Sequence, residues 1–329
     1  MPLRTPESDA DDRLIGAGEV LVAATFVLAL LQRPLAGWFD NPRFQSWSTV
    51  FVSITVQALP FLVLGVLVSA AIAAWVSPAM LLRVLPSRPA LAVPVAGIAG
   101  VALPGCECGS VPVAGRLVGR GVPPAAAVTF LLAAPAINPV VIVATLVAFP
   151  GQPEFALARF LASLATAVVV GWCWARWGGD TGMAKARATT VADGTPSLEV
   201  FRASAVHDLL HAGGYLVLGA AVAATLQVVI GRDVISIVAD NPVLGVLTLA
   251  VLAVVLSICS EADAFVAAGL REFSPTARLT FLVVGPMVDV KLIALQVAFF
   301  GRRFASRFAP LTFVTAVVVA TVVGTLVLG

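Results

Sequence analysis

Pro104-Gly-Cys-Glu-Cys-Gly-Ser110 separates two apolar stretches, 90–104 and 110–119, the second too short to cross a bilayer alone. A membrane helix takes roughly 20 mostly apolar residues. A polar turn between two short apolar arms is the pattern of a hairpin that enters the membrane and leaves on the same side. The pattern returns as Cys259-Ser-Glu-Ala-Asp263, between 241–258 and the short segment 261–270. How these two turns are read decides the fold.

Outward from them, the chain is membrane protein. Of 329 residues, 60% are hydrophobic and 12% are charged, about half the charge of an average soluble domain. Mean hydropathy is +1.01. A net charge of +2 presents no basic face, so nucleic acid is excluded as a partner and the lipid bilayer takes its place. Long apolar stretches lie at 14–32, 49–76, 123–149, 154–177, 200–230, 276–300 and 309–329. Residues 1–47 read as a polar tail and a first anchor. Met1–Arg13 is acidic and lacks a signal-peptide pattern, so 14–32 is expected to remain in place. Residues 178–198 are rich in Gly, Thr, Asp and Lys/Arg and read as a cytoplasmic linker. It separates repeat 1 (48–177, hairpin tip 104–110) from repeat 2 (199–329, hairpin tip 259–263).

The two repeats resemble each other. Phe61-Leu-Val-Leu-Gly-Val-Leu-Val-Ser-Ala70 and Tyr215-Leu-Val-Leu-Gly-Ala-Ala-Val-Ala-Ala224 agree at six of ten positions. A shift of 151 pairs Cys108 with Cys259, Arg120 with Arg271, Pro124 with Pro275, Pro135 with Pro286 and Asn138 with Asp289. If both hairpins are re-entrant, thirteen of the twenty Lys and Arg residues fall on one side, among them Arg83, Arg88, Arg116, Arg120 and the linker cations. Five fall on the other: Arg33, Arg43, Arg232, Arg271 and Arg278. Positive charge stays cytoplasmic. Three crossings plus one hairpin per repeat then place the second repeat upside down. The expected fold is an all-α polytopic membrane protein of two inverted-topology repeats, each with a re-entrant helical hairpin and a broken transmembrane helix. Its expected location is the cytoplasmic (inner) membrane.

Inverted repeats with broken helices are a transporter architecture whose substrate site lies near the midplane. Both turns place polar residues at a half-helix N-terminus, where unpaired N–H groups favour anionic or polar groups. The two long spans are interrupted in step, at Pro135-Ala-Ile-Asn-Pro139 and Gly285-Pro-Met-Val-Asp-Val-Lys291. The candidate binding residues are Cys106, Cys108, Cys259, Asn138, Glu261, Asp263 and Asp289. Glu107, Asp289 and Lys291 are candidates for ion coupling or an ion pair, since charge inside a span is costly. Plainer readings stand beside these. Ser260 and Asp263 match a capping-box-like pattern, and the cysteines suit small buried positions. Cys173, between Trp172 and Trp174, reads as packing. His207 and His211 share a helical face, but two histidines make no metal site. Arg159 is expected to lie near a span end and snorkel. No phosphate loop, nucleophile elbow or His-Glu-x-x-His motif occurs, so the chain reads as a non-enzyme, with no cofactor and no metal.

Gly105-Cys-Glu-Cys-Gly-Ser-Val-Pro112, Arg120-Gly-Val-Pro-Pro-Ala125, Phe130-Leu-Leu-Ala-Ala-Pro-Ala-Ile-Asn-Pro139, Cys259-Ser-Glu-Ala-Asp-Ala-Phe265 and Gly285-Pro-Met-Val-Asp-Val-Lys291 together resemble the predicted-permease family that includes the organoarsenical efflux (ArsP) permeases. The resemblance runs from about 48 to 329. It implies a cytoplasmic-membrane permease and, for some members, export of trivalent organoarsenicals, hence arsenic resistance. The matching positions are Cys106, Cys108, Asn138, Cys259, Glu261, Asp263 and Asp289. Glu107 departs from the family pattern, and its added carboxylate suits a cation better than a neutral arsenical. Soft, thiophilic arsenic fits a thiolate cradle. The leading expectation is a secondary transporter exporting a soft metalloid or organoarsenical, with a homo-oligomer left open. The alternatives are a permease for a metal cation or another small solute, a membrane thiol oxidoreductase using Cys106 and Cys108, and a non-transporting receptor.

Overall fold

A computed structural model describes residues 41–75, 88–102, 107–178, 197–229 and 241–329. The expected first anchor, most of the linker and Cys106 lie outside the described residues. The chain divides into two compact units, Met1–Thr49 and Val50–Gly329, and all packing described below belongs to the second.

Every regular element among the described residues is helical, and the order of elements repeats. The first half carries α1 (Pro42–Trp75), α2 (Pro89–Ala99) with a short 3-10 turn after it, α3 (Glu107–Gly119), α4 (Pro124–Ile137), α5 (Pro139–Ala148) and α6 (Pro153–Trp177). The second carries α7 (Ser197–Val229), α8 (Pro242–Leu256), α9 (Ser260–Gly269), α10 (Pro275–Val284), α11 (Val290–Phe300) and α12 (Arg302–Val327). Seven of these helices begin with proline, whose missing N–H and fixed φ suit the first helical position. Side chains cap four starts: Asn138 on α5, Asn241 on α8, Ser274 on α10 and Asp289 on α11.

Packing repeats as well. α4 lies against α2, α3 and α6, and α10 against α8, α9 and α12. α6 and α12 pack on each other. The halves also interlock crosswise: α3 of the first packs on α11 of the second, and α9 of the second on α5 of the first. Among the described residues, five stretches are long and apolar enough to cross a membrane: Pro42–Trp75, Pro124–Ala148, Pro153–Trp177, Ser197–Thr225 and Arg302–Val327. Helices α2, α8, α10 and α11 are apolar but shorter.

Two local expectations are refined. The second arm of the first hairpin starts at Glu107 rather than Ser110, and carries Pro112 inside the helix. Within the expected interruption Pro135–Pro139, the break of the first long span falls at Asn138, and Pro135 stays inside α4. Asn138 is extended (φ −68°, ψ 158°), as a residue before proline must be.

Candidate functional site

Lys291 stands two residues after the cap of α11 and is buried. Its Nζ donates to the carbonyl oxygens of Ser257 (2.6 Å) and Ile258 (3.1 Å) in the turn between α8 and α9. The same nitrogen pairs with Glu107 Oε1 at 2.7 Å and with Asp289 Oδ2 at 3.1 Å. One ammonium therefore joins the start of α3, the turn before α9 and the break before α11. In a continuous helix, Asp289 and Lys291 would point apart. Asp289 is instead the extended N-cap of α11 (φ −142°, ψ 170°), and its Oδ1 accepts from Leu292 N–H at 2.6 Å. The break lets the pair form.

The turn that presents those carbonyls contains a strained residue. Ser257 is left-handed (φ 48°), the one non-glycine with positive φ among the described residues, a conformation costing about 1–3 kcal/mol. Its hydroxyl offsets part of that, donating to Val254 O (2.9 Å) and accepting from Val290 N–H (3.2 Å). After it come Cys259, the N-cap position of α9, and Ser260, its first residue. The capping-box reading fails here, because Ser260 lies inside the helix and Cys259 makes no side-chain cap. Asp263 is left for something else. Cys259 Sγ donates to Glu261 Oε2 at 2.6 Å.

In the first half, Asn138 does what Asp289 does in the second. Its Oδ1 accepts from Val141 N–H at 3.0 Å, and its Nδ2 donates to Ala134 O at 3.0 Å. Cys108 is buried in the first turn of α3, next to Glu107.

Arg159 overturns an expectation. It does not snorkel: the side chain is wholly buried, donating from Nη1 to Thr145 Oγ1 and from Nη2 to Ser260 O, both at 2.8 Å. It thus ties α5 of the first half to the start of α9 in the second. Nearness to the span end hid this; the available signal was an arginine with apolar residues on both sides. Asp208 was passed over too. Its carboxylate is gripped by Arg116 through Nε (3.3 Å) and Nη2 (3.1 Å to each oxygen) and accepts from Ser69 Oγ at 3.0 Å. His207 and His211 stack beside it with centroids 5.9 Å apart, and His211 Nε2 lies 3.2 Å from Ala298 O.

The first-half tip, the second-half tip and both helix caps belong to one interlocked core, each tip helix resting on the broken helix of the other half. The family described as "Predicted permease" (ArsP_1) matches residues 43–325. The chain belongs to this permease family. The permease-family chain is 34% identical over 283 residues to the UPF0718 protein YcgR of Bacillus subtilis, a match covering 84% of this chain and 96% of the relative. A Streptococcus mutans protein named "Putative two-component membrane permease complex subunit" is 31% identical over 283 residues, covering 84% and 94%. No solved structure matches. With five stretches among the described residues able to span a bilayer, this is a multi-pass membrane protein of a permease family.

Proposed function

We propose that the chain is a secondary transporter of the cytoplasmic membrane that exports a soft metalloid or trivalent organoarsenical. The repeats are inverted, both hairpins are re-entrant, and the tips meet near the midplane. What supports this most is the Lys291 node, in which groups from both tips and one helix break contact a single buried ammonium. Half-helix ends and unwound backbone at depth are how secondary transporters build sites, and such backbone survives there only where protein buries it or it lines a cavity. Cys108 and Cys259, buried in the first turn and at the cap of their half-helices, supply soft donors, with Cys106 as a third. Asn138, Asp289, Glu261 and Asp263 form the polar wall. Glu107 and Lys291 set the local charge. The complex-subunit name of the Streptococcus relative supports a second subunit as a partner, beside self-association.

The test is uptake of methylarsonous acid into everted vesicles from an arsenical-sensitive bacterial host. The expected result is protein-dependent uptake that Cys108→Ser and Cys259→Ser abolish and Cys173→Ser leaves intact. Uptake unchanged in a Cys108→Ser/Cys259→Ser variant would remove the thiol site.

A further inference from the structure

Charge inside the site does not balance. Four carboxylates (Glu107, Glu261, Asp263, Asp289) meet two cations (Arg159 and Lys291). Lys291 is shared by Glu107 and Asp289. Arg159 spends both terminal nitrogens on Thr145 Oγ1 and Ser260 O, and its Nε has no hydrogen-bond partner among the described residues. Asp263 is left over. It is 1% exposed, and its Oδ2 is buried with no hydrogen bond among the described residues. That oxygen occupies the space where a side chain on residue 285 would stand, so Gly285 is what admits it.

An ionised carboxylate in that position, with one oxygen buried and unbonded among the described residues, is costly. Either a cation or a proton must meet it. No group of three His, Cys, Asp or Glu residues among the described residues has the arrangement to hold a metal. The charged groups facing Asp263 are Arg159 from α6, Lys291 and Asp289 from α11 and its cap, and Glu107 from α3. On its own helix Glu261 is engaged by the Cys259 thiol. Helix α5 offers no titratable side chain, and Arg278, from α10, is bonded to Ala267 O at the far end of α9. Cys259 and Asp263 are one turn apart, with Asp263 N–H donating to Cys259 O at 3.0 Å, so they share a face of the half-helix.

We propose that Asp263 is the coupling-proton site of this transporter, a reading that rests on the transport function proposed above. Asp263 takes one proton from the side to which the tip is open and releases it as a carboxylate plus a proton on the other. Arg159, locked by Thr145 and Ser260, is the fixed positive charge against which the carboxylate discharges. Because the proton site and the Cys259 thiol lie on one face of one half-helix, proton and substrate occupy the tip alternately, which makes the exchange an antiport.

Infrared difference spectroscopy of the purified full-length protein, titrated over pH in H2O and D2O, tests the site without any substrate. A protonated-carboxyl band is expected that disappears in Asp263→Asn and persists in Glu261→Gln. A band retained in Asp263→Asn overturns the proposal. Should Asp263→Asn fail to fold, Asp263→Glu must shift that band, and an unshifted band overturns it equally. In proteoliposomes with methylarsonous acid as probe, a proton gradient should accelerate transport by the wild type and should give no acceleration in Asp263→Asn. Acceleration that survives, or that follows a sodium gradient instead, overturns the coupling role. If the wild type moves no probe, the arsenical reading falls, and the infrared result still decides the proton site.

Discussion

Lys291 Nζ lies 2.7 Å from Glu107 Oε1, so the second half of the chain supplies the counter-ion for the hairpin tip of the first. Both side chains are buried, and breaking one partner of a buried pair costs about 3–5 kcal/mol because a bare charge remains. Lys291→Met should therefore lower the melting temperature in detergent sharply, and adding Glu107→Gln should recover part of the loss. A double variant no more stable than Lys291→Met alone would show that the two groups are not coupled.

Arg159 makes a narrower case. Thr145→Val removes the acceptor of Nη1 and keeps the shape, so it should cost about 1.5–3 kcal/mol, the range for hydrogen bonds to charged groups. Ser163→Ala is the control, since the buried Ser163 hydroxyl has no partner among the described residues. Its melting temperature should stay at the wild-type value or rise. Equal losses in both variants would mean that the Arg159 contact contributes nothing beyond packing.

Gly219 lets α7 approach α11: a Cβ there would stand 2.7 Å from Lys291 Cα. Gly219→Ala should cost about 1–3 kcal/mol through overpacking and disturb the Lys291 node. Gly213→Ala, two turns earlier on the same helix with open space around it, should gain up to about 1 kcal/mol from helix propensity. Thermal melting of the two variants side by side checks the sign of each.

Inverted topology has its own measurement. Reporter fusions at residue 190 and after Gly329 should report opposite sides, the first cytoplasmic and the second external. Both on one side would remove the inverted arrangement and, with it, the midplane location of the tips.

Much of the architecture was legible in residue order, for a local reason. Proline at a helix start, Asn or Asp at a cap and a polar turn between short apolar arms act within a few residues, so the register of 151 that pairs Asn138 with Asp289 also pairs two real helix caps. Cys108 and Cys259 likewise fall at the starts of α3 and α9. Asp289 and Lys291 were recognisable as an ion pair only if the helix broke between them, and the break was itself signalled by Pro286. What no local rule could supply was which charge meets which across the halves. Glu107 meets Lys291, and Arg159 reaches Ser260, because α3 rests on α11 and α9 on α5. Those contacts depend on how helices distant in sequence pack, and an apolar span looks the same in sequence whether its one arginine faces headgroups or a buried carbonyl. By itself, the sequence determined the membrane class, the repeated order of elements and the breaks near Asn138 and Asp289, since each follows from hydropathy and backbone chemistry near one residue. Tertiary structure alone decided the partners of the buried charges, because burial makes each ion take whatever opposite charge or carbonyl the crossing helix brings within reach.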